Sequence, residues 1–142
     1  MAGGAQAESG AKFEVTHTEE EWKEILTPDQ FYVLRQQGTE RAGTSPLNKE
    51  KRKGTFVCAG CNLPLYSSET KYESGTGWPS FWKPLDNAVG KSEDRSWFSV
   101  RTEIHCRRCG GHLGHVFDDG PKPTGLRYCM NGAAMNFEPA SS

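Results

Sequence analysis

Residues Cys106–Asn131 read C-R-R-C-G-G-H-L-G-H-V-F, then a turn-rich link, then L-R-Y-C-M-N. Most of the architecture can be worked out from this stretch. It carries one C-x-x-C pair (Cys106, Cys109), two histidines three residues apart (His112, His115) and a single cysteine, Cys129, outside any pair. A second C-x-x-C pair, Cys58 and Cys61, is separated from Cys106 by 44 intervening residues. In such a turn both thiolates can face one ion, and four thiolates suit tetrahedral zinc in a closed structural site. The gap is longer than that of a simple zinc ribbon, so an ion held by Cys58, Cys61, Cys106 and Cys109 would tie two distant hairpins together. Gly110 after the second pair suits a knuckle whose backbone amides turn toward sulfur, and two pairs with Gly60, Gly110 and Gly111 around them are far more specific than one. Two competing readings remain at this point: iron in the same site, or two metal-free pairs that are simply reduced or redox-active.

Composition narrows the class. A chain of 142 residues is long enough for one domain with a true core. Hydrophobic residues make up only 35%, so a metal staple would help. The 16 glycines and 8 prolines favour a turn-rich, mainly β fold. Net charge is −1, with 17 basic against 18 acidic residues, which leaves no basic field for a nucleic-acid backbone. Lys49–Lys53 is too short and too mixed to alter that. No stretch approaches the roughly 20 apolar residues of a membrane span, and M-A-G-G-A-Q-A-E-S-G lacks the basic and apolar regions of a secretory signal. Two C-x-x-C pairs plus one cysteine do not resemble a secreted disulfide framework, so a reducing compartment is expected. That compartment is the cytoplasm, or an organelle matrix had a transit peptide been removed.

In chain order, residues 1–12 read as a disordered tail and 13–139 as a single domain. Thr18-Glu19-Glu20-Glu21 is a capping box, followed by Trp22, Ile25 and Leu26 on one helical face. Thr27-Pro28-Asp29-Gln30 starts a second helix with Pro at its first position, apolar at Phe31 and Leu34, with Gly38 as its left-handed stop. Thr55–Cys58 and Leu63–Tyr66 flank the first knuckle as strands. Gly75–Phe81 (G-T-G-W-P-S-F) reads as a structured, buried loop forming a pocket wall. Residues 83–95 read as polar loop with a turn near Asn87–Lys91. Ser96–His105 alternates as a strand, with Phe98, Val100, Thr102 and Ile104 on one face. His115–Phe117, Leu126–Asn131 and Ala134–Phe137 are further short strands.

A lone cysteine is more often an inert core residue than a nucleophile. The surroundings of Cys129 argue otherwise. His112 and His115 are spaced to reach one centre, although either could instead be a metal ligand or a satisfied core residue. Arg127 and Asn131, two residues to each side of Cys129, share its face on a strand. A cation and an imidazole nearby would lower the thiol pKa and supply thiolate.

Together C-A-G-C, S-G-T-G-W-P-S-F, R-T-E-I-H-C-R-R-C-G-G-H-L-G-H-V-F-D-D-G-P and R-Y-C-M-N-G resemble the methionine-R-sulfoxide reductases, type B, over about residues 18–138. The resemblance implies two antiparallel sheets, tent- or sandwich-like, with short N-terminal helices and a four-cysteine zinc site away from the active centre. It implies reduction of the R epimer of methionine sulfoxide in proteins, a repair of oxidative damage that passes through a cysteine sulfenic acid. Cys129 matches the catalytic cysteine, His112, His115 and Asn131 its polar partners, and Trp78 the aromatic that holds the substrate methyl; Arg127 is a further expected substrate contact. Thr76 stands where many members carry a resolving cysteine, and Asn131-Gly132 replaces the usual N-S. With no second free cysteine, thioredoxin or glutathione with glutaredoxin is the expected reductant, acting on a monomer. The alternative is a non-catalytic zinc module that binds a protein through the Trp78–Trp82 surface.

Overall fold

The computed structural model describes residues 13–95 and 100–140; the expected tail at 1–12 and the 96–99 part of the expected strand, Phe98 included, lie outside them. Two short helices open the chain, α1 (Glu19–Ile25) and α2 (Pro28–Gln36). Both capping boxes form: Thr18 Oγ1 accepts from the Glu21 amide at 3.1 Å, and Thr27 Oγ1 from the Gln30 amide at 3.2 Å. Trp22 and Leu26 turn into the core, but Ile25 faces solvent and is 49% exposed, because a seven-residue helix buries one narrow stripe. The left-handed residue that ends α2 is Gln37, at φ 56°, one position before the expected Gly38. Gly38 is instead confined by the Tyr32 ring, which any side chain there would strike.

Nine strands follow among the described residues. β1 (Gly54–Cys58), β2 (Pro64–Ser67) and β9 (Met135–Pro139) form a three-stranded antiparallel sheet in the order β2-β1-β9. β3 (Lys71–Tyr72), β4 (Ser80–Phe81), β5 (Val89–Asp94), β6 (Arg101–Cys106), β7 (His112–Phe117) and β8 (Arg127–Met130) form a six-stranded antiparallel sheet in the order β3-β4-β8-β7-β6-β5. Within the tract read as polar loop, Val89–Asp94 is therefore a strand. It lies at the sheet edge, where one side is solvated and polar residues carry no penalty. The sheets meet through aromatics: Phe81 stacks on Tyr66 at 4.4 Å between centroids and meets Phe56 edge-on at 5.0 Å. Phe81 is fully buried, so truncating it to Ala should cost about 3–5 kcal/mol. Helix α2 packs across β7 and the short 3₁₀ turn Gly132–Ala134, covering the strand that carries both histidines. No helix among the described residues is long and apolar enough to cross a membrane.

Candidate active site and metal centre

One feature of β7 places the histidines. Residues three apart on a regular strand point to opposite faces. Here Ile104 pairs with Gly114 and His105 with His112, so Leu113 is an extra residue, a β-bulge, and His112 and His115 come to one face. Their rings lie 5.4 Å apart. Gly114 sits in the same bulge. A side chain there would collide with the Cys129 carbonyl and the Met130 backbone on β8, so only glycine lets β7 and β8 close up at this level.

Register then builds a row across the sheet. Ser92, Glu103, His115, Cys129 and Ser80 face one another on five consecutive strands, β5, β6, β7, β8 and β4. His115 is thus the direct cross-strand neighbour of Cys129. Both line a cavity of about 310 Å³ together with Trp78, Thr76, Phe117, Arg127 and Asn131. His112 lines an adjoining polar cavity of about 540 Å³ and meets the first through His115. The structure brings all the expected residues into one neighbourhood, but His115 alone of the two histidines borders the Cys129 cavity.

Each polar group is held. Glu103, absent from the residues picked out in the sequence, accepts from His112 Nδ1 at 2.7 Å and from the Ser92 hydroxyl. Burial would raise the Glu103 carboxyl, but the hydrogen bonds of His105, His112 and Ser92 outweigh it and hold the group well below the usual carboxylate range. An Nδ1–H donated to Glu103 leaves His112 Nε2 bare, and that atom is buried without a partner among the described residues. His115 Nε2 meets Asp94 Oδ2 at 2.8 Å, and Arg101 Nη2 reaches the same oxygen at 3.1 Å. Burial pushes the His115 pKa down, helped by Arg101 and His112 and opposed by Asp94, so the ring is neutral at physiological pH.

The expectation for Cys129 needs correction. Burial pushes its thiol up, and this exceeds the opposing pull of Arg127 and of the Thr76 hydroxyl. Arg127 still pulls the thiol down, but its guanidinium is shared with Asp119 at 2.8 and 3.1 Å and lies over the Phe117 ring. Asp119 itself pushes the thiol up and so offsets part of that pull.

Residue 40 ties the pocket wall to the cysteine strand. The Glu40 amide donates to Asn131 Oδ1 at 2.9 Å, and its carbonyl accepts from Trp78 Nε1 at 3.0 Å. Its carboxylate accepts from the amides of Gly132 at 2.7 Å and Ala133 at 2.9 Å. Asn131 in turn donates through Nδ2 to the carbonyl of Leu113, the bulge residue, at 3.0 Å. Neither Glu40 nor Asp94 carries a local sequence signal, since each acts on residues far along the chain. Glu103 had one: its alternation with buried Ile104 puts it on the face of His105.

The four paired cysteines converge elsewhere, between the β1–β2 and β6–β7 turns, with their sulfurs all within 4.8 Å of one another. Cys58 and Cys109 sulfurs are 3.7 Å apart and those of Cys61 and Cys106 3.5 Å. The Gly60 amide points at Cys58 Sγ at 3.3 Å, a knuckle geometry at the first pair. Arg35 Nη1 donates to the Cys109 carbonyl at 2.9 Å and Arg108 Nη1 to that of Cys61 at 3.1 Å, which clamps both turns. A metal ion fits this set.

Comparison with known proteins agrees with this geometry. Residues 26–139 match the SelR domain. The peptide methionine sulfoxide reductase MsrB of Leptospira interrogans is 58% identical over 127 residues, spanning 89% of this chain and 97% of that protein. The protein of the same name from Methanosarcina barkeri is 54% identical, covering 87% of this chain and 88% of its own length. That of Agrobacterium fabrum is 52% identical, over 88% and 93% respectively.

Proposed function

Because the chain belongs to the SelR-domain family of peptide methionine sulfoxide reductases MsrB, we infer that the Cys129 cavity is where it reduces methionine-R-sulfoxide in oxidised proteins. One observation carries this reading. A lone cysteine faces a histidine across adjacent strands, in a cavity walled by an aromatic pair.

The substrate brings a methyl group, a positively polarised sulfur and an oxygen bearing negative charge. Trp78 and Phe117 give the methyl an apolar wall. Cys129 sulfur attacks the substrate sulfur, and the S–O bond breaks as oxygen passes to the cysteine. The thiol's own proton suffices: Cys–SH and the sulfoxide give Cys–SOH and methionine, the cysteine oxidised and the substrate reduced by two electrons. A thiol held neutral by burial keeps that proton at hand until the oxygen needs it. His115, neutral and fixed by Asp94, relays it to the growing oxyanion, where a preorganised donor lowers the barrier most. His112 and Glu103 support His115 from the next cavity, and Asn131 clamps the bulge that aims both rings.

The sulfenic acid is then cleared by an outside thiol. The other four cysteines sit in the cluster, and Thr76 occupies the wall position opposite Cys129. Thioredoxin, or glutathione with glutaredoxin, fits this need. We take the metal to be zinc. A tetrahedron with Zn–S bonds of about 2.3 Å has S···S edges of about 3.8 Å, close to the separations of the cluster. Its role is to close the two turns, for all four thiolates are protein ligands. The cavity is complete within one chain, which supports a monomer, and five cysteines without a disulfide suit a reducing compartment such as the cytoplasm.

The test is direct. Protein, dithiothreitol and a peptide carrying racemic methionine sulfoxide are incubated and the epimers separated. The R epimer should disappear and the S persist, while Cys129→Ser should fold and reduce neither. Equal loss of both epimers, or an active Cys129→Ser protein, defeats the assignment.

A further inference from the structure

The pocket wall holds a line of hydroxyls that the mechanism above does not use. Ser80 is the strand partner of Cys129 and only 1% exposed. Its Oγ lies 2.7 Å from Ser74 Oγ, which lies 2.8 Å from Thr76 Oγ1. Thr76 shares the cavity with Cys129, and its hydroxyl pulls the thiol pKa down. At the far end Ser80 Oγ also reaches the Trp78 carbonyl at 3.1 Å. Two amides fix the oxygens: Thr76 N–H points at Ser74 Oγ at 3.3 Å and Trp78 N–H at Thr76 Oγ1 at 3.4 Å.

Counting protons shows that this line has two arrangements, of which the second releases the Trp78 carbonyl. When Cys129 is a thiol, S–H donates to Thr76, Thr76 to Ser74, Ser74 to Ser80, and Ser80 to the Trp78 carbonyl. When Cys129 is a thiolate, every hydroxyl turns round: Ser80 donates to Ser74, Ser74 to Thr76, and Thr76 to the sulfur. In both arrangements Ser74 and Thr76 oxygens accept two bonds each, one from an amide, so nothing moves except hydroxyl protons. Gly75 and Gly77, at φ 77° and 97°, allow the tight loop that brings Ser74 and Thr76 together.

We propose that Ser80, Ser74 and Thr76 form a reversible hydroxyl chain that swings toward Cys129 as its proton leaves through His115 to the substrate oxygen, making Thr76 a catalytic residue that donates to the attacking sulfur. The proposal rests on Cys129 being the nucleophile. It gives this chain a use for threonine at a position where a cysteine would instead serve to resolve the sulfenic acid. The other ionisable groups around Cys129 are Arg127 on β8, Asp119 in the preceding link, Tyr72 on β3, His115 on β7 and Arg101 on β6, and Thr76 variants leave all of them in place.

The test reads the sulfur rather than turnover. Iodoacetamide labelling of Cys129 is followed against pH by mass spectrometry of its own peptide, so the four cluster cysteines do not contribute. Thr76→Val keeps the shape and removes the hydroxyl. It should move the labelling midpoint to higher pH and slow labelling at pH 7 about tenfold, the size of one hydrogen bond to a charged atom. Thr76→Ser should label like wild type, and Ser74→Ala should slow labelling about threefold by removing the donor behind Thr76. A Thr76→Val protein with the wild-type midpoint overturns the proposal, and so does a Ser74→Ala protein with unchanged labelling, since Thr76 would then act without a chain. Either result leaves the function standing as long as wild type still consumes the R epimer.

Discussion

Removing the Glu40 carboxylate should loosen the site more than the change of one distant side chain suggests. In Glu40→Ala the amides of Gly132 and Ala133 lose their acceptors, at 2.7 and 2.9 Å. Hydrogen bonds to a charged group are worth about 1.5–3 kcal/mol each. The half-buried carboxylate is itself partly desolvated, which raises its pKa and offsets some of that gain. A loss of about 2–4 kcal/mol follows, against a total of about 5–15 kcal/mol for a domain. At about 2–4 °C per kcal/mol, the melting temperature should fall by roughly 4–16 °C. Glu40→Gln keeps one acceptor oxygen and sets an amide donor against the other N–H, so it should lose about half as much. Residue 40 also holds Asn131 and Trp78 through its backbone, so kcat on an R-sulfoxide peptide should drop about tenfold and KM should rise. Urea melts and steady-state kinetics on the two variants measure both effects. An Ala variant within about 0.5 kcal/mol of wild type, with normal kcat and KM, would refute the reasoning.

Purified protein should hold about one zinc per chain, and Cys58→Ser or Cys109→Ser should lose metal and folded structure together, as judged by elemental analysis and circular dichroism. Acid should destabilise the fold in two stages. The His115 pKa is lowered by folding, so the unfolded chain binds that proton first and stability falls as pH drops below the ordinary value of 6.5 toward the folded pKa. Glu103 is also lowered, so its contribution, intact above 4.5, is lost as pH falls further, and Glu103→Gln should flatten this second stage in urea melts. Thr76→Cys should convert the sulfenic acid left after one turnover without reductant into a disulfide with Cys129, and thioredoxin should then recycle the variant better than wild type; a dimedone adduct at Cys129 in place of the disulfide would contradict this.

The sequence exposed those parts of the protein whose chemistry is written locally. Both capping boxes, the two knuckles and the strand character of Arg127–Met130 depend on near neighbours, and all are present. Strand β5 was hidden because an edge strand has no apolar face to show, and Asp94 was hidden with it. The link from Glu40 to Gly132 joins residues some 92 apart, and no periodicity reports such a bond. The sign of the Cys129 shift was not legible either. Arg127 beside the thiol was visible, but Asp119, eight residues before that arginine and folded back onto its guanidinium, was not.

The same logic explains why one hairpin carries both the cysteine cluster and the histidines. β6 ends at Cys106, the knuckle turns through Cys109, and β7 begins at His112. The bulge at Leu113 follows within four residues of the last cluster cysteine. A strand slipped by one residue presents its opposite face. Such a slip in β7 would send His115 to the core side and bring Gly114 or Val116 level with Cys129. Three ties hold the register: the cysteine cluster at the turn, the Asn131 clamp on the Leu113 carbonyl, and Gly114 packed bare against β8. The cluster lies apart from the cavity, yet it fixes the start of the strand from which His115 is aimed. A four-cysteine turn outside the Cys129 cavity therefore bears on the proposed chemistry through strand register.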